Sequence, residues 1–181
     1  KRVIKQLYKH QKPKTGMAFE YLLSNALSFE TVVIRRLALE NLDHFFNDKF
    51  VLINDYDFIA RLGIHCKLEY VDEVLAKWRV HDGSETWDKF SLFPKEKRIF
   101  LENIELIVKG FKQKYFKQYI LILNRIIFQE AVILWKEKAN KSLIRTKIRP
   151  FLKSSIRLRG LYFIVHIVPF DFYKTLMKIR N

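Results

Sequence analysis

Cysteine occurs once in the 181 residues, at Cys66. A single thiol excludes an internal disulfide framework and any zinc centre built on several cysteines, and it suits a reducing compartment. Glycine and proline are scarce, at 5 and 4 residues. That argues against a turn-rich all-β fold and in favour of long helices. No apolar run reaches the ~18 residues that a spanning helix requires. Tyr119 to Trp135 comes closest, but Asn124, Arg125, Gln129 and Glu130 interrupt it. No signal peptide is legible, and the opening Lys1-Arg2-Val3 reads as mid-protein sequence. Internal repeats and low-complexity tracts are missing as well.

Acidic residues are scarce in one half only. Up to Pro94 there are 14 Lys and Arg against 13 Asp and Glu; from Lys95 onward there are 20 against 6. Almost all of the net charge of +15 therefore sits in the second half, which calls for a polyanionic partner there, either membrane phospholipid or nucleic acid. The hydrophobic fraction of 49% excludes general disorder. A chain of this length can bury one real core and carry an appendage.

Hydrophobic spacing gives a coarse map. Val3, Ile4, Leu7 and Tyr8 suit a short helix before the turn at Pro13 to Gly16. Met17 to Ala26 is patterned as an amphipathic helix, and Phe29 to Ile34 is a strand by its β-branched content. Leu37 to Phe46 reads as helix. Asn54 or Asp55 is placed to cap a helix over Tyr56 to Leu62, with Gly63 as its end. Lys67 to Val71 and Val74 to Val80 read as two strands. Beyond Pro94 the pattern is helical: Phe100, Ile104, Ile107 and Phe111 keep one face, and Phe116, Tyr119, Leu123, Ile127 and Leu134 keep another. Residues 136–159 are dense in Lys and Arg, and Leu161 to Phe170 is a short apolar run.

Three stretches carry a resemblance when taken in order. Phe29-Glu30-Thr31-Val32-Val33-Ile34 is closed by Arg35-Arg36. Asn54-Asp55-Tyr56-Asp57 opens a helix. Tyr70 to Lys77 leads into Trp78-Arg79-Val80-His81. This set resembles the second half of the catalytic domain of family-2, inverting GT-A glycosyltransferases, over about Lys12 to Thr86. The resemblance implies an α/β fold, a partial GT-A domain with a mixed sheet over residues 1–93, followed by an all-α basic appendage over 94–181. Phe29 to Ile34 and Val74 to Val80 would share the sheet, with Asp55 at a helix start near its edge.

Sugar transfer with inversion needs a carboxylate that takes the acceptor hydroxyl's proton as the oxygen attacks the anomeric carbon. The resemblance gives that role to Asp55, with Asn54 standing where the family has Glu; from spacing alone, Asp55 reads first as a helix cap. Asp55-Tyr56-Asp57 spells Asp-x-Asp but opens a helix, so it is not read as the family's metal motif. Asp57 is expected to face solvent or to pair with Arg61. The resemblance also gives His81 a place at a divalent metal, Mn or Mg, and Arg79 a place at the diphosphate. Thr31 lies where the family's strand runs beside the acceptor, and Trp87 could stack on an acceptor ring. Arg79, Thr31, Trp87 and Asn54 are thus the candidate substrate contacts. The uridine-binding Asp and the metal motif of the family's first half have no counterpart before Phe29, so catalysis is not expected from this chain alone.

These readings imply a nucleotide-sugar donor and a surface-glycan or lipid-linked acceptor. They also imply a cytoplasmic location, at the inner face of the membrane if the basic tail meets anionic lipid. The rival is a basic helical module that binds nucleic acid or protein without catalysis. It accounts for the charge but not for the ordered motifs, and it lacks a zinc pattern or an RNA-binding sheet signature, so nucleic acid is disfavoured.

Overall fold

The computed structural model describes residues 12, 15–24, 27–77 and 89–172. The chain divides into two compact units, Lys1–Asp88 and Lys89–Asn181.

In the first unit, β1 (Gly16–Met17) pairs antiparallel with β2 (Lys67–Leu68), in the register Gly16 to Leu68 and Met17 to Lys67. Among the described residues this two-stranded ladder is the whole of the sheet structure. Lys12 pairs with Asp72 just beyond it. The helices are α1 (Phe19–Ser24), α2 (Arg36–Leu39) and α3 (Asn54–His65). Ala18 and Leu22 pack on Phe58 and Ile59, with Val32, Ile34, Leu39 and Leu42 around them.

The mixed α/β sheet expected for this region is therefore incorrect: the described chain is mostly helical. Phe29–Thr31 is a turn of 3-10 helix. The Ser28 hydroxyl donates to Glu30 at 2.6 Å, and the Thr31 hydroxyl donates to the Ser28 carbonyl at 2.8 Å. Such local side-chain bonds offer the backbone an alternative to a ladder. Val32 and Arg35 are extended, but residues 32–35 form no ladder among the described residues, and a strand exists only through its partner. Val74 to Lys77 is likewise irregular; residues 78–80 lie outside the described residues. Regular helix within the expected Leu37 to Phe46 is confined to the short α2.

α3 also runs on past the stop expected at Gly63. A Cβ at that position would lie 2.5 Å from Leu22 Cδ1 and 3.6 Å from the Phe19 Cα. The glycine lets α1 approach α3 closely, and does not end the helix.

The regular elements of the second unit are all helices among the described residues: α4 (Leu92–Ile107), α5 (Phe111–Lys114), α6 (Phe116–Lys136), α7 (Lys141–Ile148), a 3-10 turn at Arg149–Phe151 and α8 (Ile156–Ile167). Gly110, at φ 73°, turns the chain between α4 and α5 in a backbone region that favours glycine. α6 is the central helix and packs against each of the other four. Ile127, Ala131 and Trp135 of α6 close a core with Ile144 and Ile148 of α7 and Leu158, Leu161 and Val165 of α8. Phe100 and Ile104 of α4, with Phe111 and with Ile122 and Ile126 of α6, are buried too.

Asn140 caps α7 by accepting the Ser142 amide at 2.8 Å, and Ser155 caps α8 by accepting the Leu158 amide at 3.3 Å. The polar residues that interrupt α6 have structural partners. Buried Asn124 accepts from the Ser154 hydroxyl at 2.8 Å and donates to its carbonyl at 3.2 Å. Glu130 receives Arg98 Nε at 2.7 Å and Lys147 Nζ at 2.7 Å. Among the described residues α6 alone is long and apolar enough to cross a membrane. About a third of its most apolar window is buried against the other helices.

Candidate functional site

The site is built at the start of α3. The first helical bond runs from the Asp57 amide to the Ile53 carbonyl at 2.8 Å. Asn54 does not cap the helix with its side chain. Its Oδ1 accepts the Asn47 amide at 3.1 Å and its Nδ2 donates to the Phe50 carbonyl at 2.6 Å, which folds the preceding loop over on itself. Both ends of this side-chain amide are thus engaged with backbone.

Asp55 and Asp57 occupy opposite environments although one residue separates them. Asp57 is buried, with Arg61 Nε 2.8 Å from its Oδ2. Arg61 Nη1 and Nη2 donate to the carbonyls of His44 and Phe45, each at 2.7 Å. The pairing with Arg61 anticipated at helical spacing is present, but inside the fold and not on the solvent face. Burial raises the Asp57 carboxyl above its ordinary range, against the opposing pull of Arg61.

Asp55 is exposed, and its Oδ1 accepts its neighbour Tyr56's amide at 2.7 Å. Partial desolvation raises its proton affinity; the backbone amides of Tyr56 and Asp55 oppose this, and the charge of Glu30 adds to the rise. Tyr56 anchors this first turn by donating its hydroxyl to the Leu23 carbonyl at 2.7 Å.

Glu30 is the neighbour that motif reasoning missed. The 3-10 turn bearing it rests on α3 through Phe29, whose ring meets Phe58 edge-on with centroids 6.0 Å apart. The Ser28 hydroxyl and its own backbone amide hold the Glu30 carboxyl below the ordinary range. The two carboxyls are thus displaced in opposite directions, each chiefly by its own surroundings, and the Glu30 charge is the smallest of the influences on Asp55. The β-branched content of Phe29 to Ile34 suggests a strand, in which Glu30 has no special standing; the Ser-x-Glu and Ser-x-x-Thr spacings were the available signal.

Thr31 is exposed on the same turn, and its hydroxyl is committed to Ser28. The fold therefore brings Thr31's turn to Asp55's helix. His81, Arg79 and Trp87 lie outside the described residues. Among the described residues no group of three His, Cys, Asp or Glu could hold a metal ion. Glu30 and Asp55 by themselves do not make the ligand set that Mn or Mg requires, so no step is assigned to a metal here. Arg36, with Glu40, Asp43 and His44, lines an open depression of about 420 Å³ on the surface of this unit.

No family model, no curated protein and no solved structure matches the chain.

Proposed function

We propose that this chain is the acceptor-side portion of an inverting glycosyltransferase similar to those of family 2, with Asp55 as the general base. The observation that supports this is the split fate of the two aspartates. Asp57 is consumed by a buried pair, whereas Asp55 presents an open carboxylate of raised proton affinity on the first turn of a well-anchored helix. In the reaction the acceptor hydroxyl gives its proton to Asp55 as its oxygen bonds to the anomeric carbon. The bond from that carbon to the nucleoside diphosphate breaks, and the leaving group departs with the electron pair. Glu30, kept ionised, favours the protonated form of Asp55 that results. The donor is a nucleotide-diphosphate sugar and the acceptor a surface glycan or its lipid-linked precursor.

The test is turnover of nucleotide sugar by the full-length gene product. Asp55→Asn should lower turnover by ~10²-fold or more while leaving donor binding intact, the scale of a lost general base. Asp57→Asn, compared at equal folded fraction, should lower it far less. Equal losses for the two variants would remove Asp55 from the base role.

A further inference from the structure

α8 is apolar on two faces, and the core uses only one of them. Leu158, Leu161 and Val165 point inward and are buried. Ile156, Gly160, Phe163 and Ile167 recur at spacings of four, three and four residues, which places them on one opposite stripe. Ile156 is 75% exposed, Phe163 64% and Ile167 76%, and a Cβ at Gly160 would meet nothing within 4 Å. The run Leu161 to Phe170 is therefore half core and half surface. Arg157 and Arg159, both exposed, flank the outward stripe.

The stretch of chain that carries this stripe is strongly basic, between Glu137 and Asp171. From Lys138 to Phe170 the chain carries eight Lys and Arg and no Asp or Glu. Lys138, Lys141, Arg149 and Lys153 are exposed as well. Lys141 also donates to the His166 carbonyl at 3.0 Å, which ties the start of α7 to the last turn of α8. A rigid helix thus presents large apolar side chains between cations.

We propose that the outward face of α8 docks this unit onto an anionic lipid bilayer, with Ile156, Phe163 and Ile167 entering the acyl boundary and the surrounding Lys and Arg meeting head-group phosphates. Charge complementarity selects this occupant. A second copy on the same face would bring two strongly basic stretches together, which is repulsive. A nucleic-acid backbone would satisfy the cations but leave the exposed isoleucines and phenylalanine in water. The inference rests on the second unit alone and does not depend on the sugar-transfer reading, although it would bring the chain to a lipid-linked acceptor.

Co-sedimentation of the chain with vesicles tests it. Binding is expected to phosphatidylserine-containing vesicles, to fall as salt is raised, and to be much weaker on pure phosphatidylcholine. The triple variant Ile156→Ser, Phe163→Ser, Ile167→Ser should bind at least about tenfold more weakly, because the apolar contribution is lost. It should unfold at the same urea midpoint as the wild type, since these side chains take no part in the core. Phe163→Trp gives a second reading that leaves the face apolar: the emission of the introduced indole should shift to the blue on anionic vesicles. Equal binding to both vesicle types, no binding to either, undiminished binding by the triple variant, or an unshifted emission from the Phe163→Trp variant would each overturn the proposal. So would a concentration-dependent dimer that the triple variant abolishes without any vesicle binding by the wild type.

Discussion

Arg61 reaches back one helical turn to Asp57, Nε to Oδ2 at 2.8 Å, and both side chains are buried. The same guanidinium spans the carbonyls of His44 and Phe45, so one arginine joins α3 to the irregular loop before it. The loop has little regular structure of its own, and its carbonyls would otherwise lose their partners on burial. The pair is an organising contact of the first unit.

Removing one member leaves the other charged and unpaired in the interior, at a cost of ~3–5 kcal/mol. Asp57→Ala should therefore lower the urea midpoint of the first unit sharply or leave it unfolded. Arg61→Lys keeps the charge but loses the planar fork, and should cost about 1–3 kcal/mol through the freed carbonyls. If Arg61→Lys proves as stable as the wild type, the clamp on residues 44 and 45 contributes nothing.

Gly63 should tolerate only small change. Gly63→Ala gains up to about 1 kcal/mol of helix propensity but pushes its Cβ to 2.5 Å from Leu22 Cδ1, so the buried leucine must shift. The two effects should nearly cancel. Gly63→Val cannot be absorbed by one side-chain rotation and should destabilise by about 1–3 kcal/mol. Thermal unfolding of the two variants checks the order, and Leu22→Ala should rescue Gly63→Val in part if the clash is the cause.

Lys97 supplies a pH dependence in the alkaline range. Burial lowers its ammonium to about 8, with Arg125 adding to the effect, and Nζ lies 5.7 Å from the Phe93 ring centre. A lysine depressed in the native state releases its proton there first, so between about pH 8 and the unfolded value near 10.5 the unfolded chain holds more protons. Stability of the second unit should accordingly rise as pH climbs through that window. Below it the charged lysine is a standing cost of roughly 3 kcal/mol, at ~1.4 kcal/mol per unit. Lys97→Met should abolish the rise and be the more stable protein at neutral pH. Urea midpoints on either side of the window decide this; a flat profile in the wild type would sink it.

Some elements could be read from residue spacing because a local cause suffices. The helix beginning at Asn54 follows from its start signals, and inward Phe100 and Ile104 follow from periodicity, whereas Phe111 is buried from a separate helix beyond the turn at Gly110. The face of α6 did not. Spacing selected Phe116, Tyr119, Leu123, Ile127 and Leu134, whereas Ile122, Ile126, Ile127, Ala131 and Trp135 are the buried residues and Phe116 is 61% exposed. A helix contacted by four others has apolar residues on several sides, so its period no longer names one face. Ile107 is likewise at the exposed end of α4. The strand read into Phe29 to Ile34 failed for another reason: a strand is a relation between two segments, and composition describes only one of them.

The sequence by itself determined the acid-free basic stretch from Lys138 to Phe170, the helical character of the second half and the presence of two aspartates two residues apart in a helix. On such a helix, positions two apart point roughly 200° from each other, so one carboxylate must face inward when the other faces out. Which one turns inward is not written in that spacing. Tertiary structure decided it, because Arg61 stands four residues after Asp57 and the carbonyls of His44 and Phe45 complete its hydrogen bonds, making burial of that charge tolerable and leaving Asp55 at the surface.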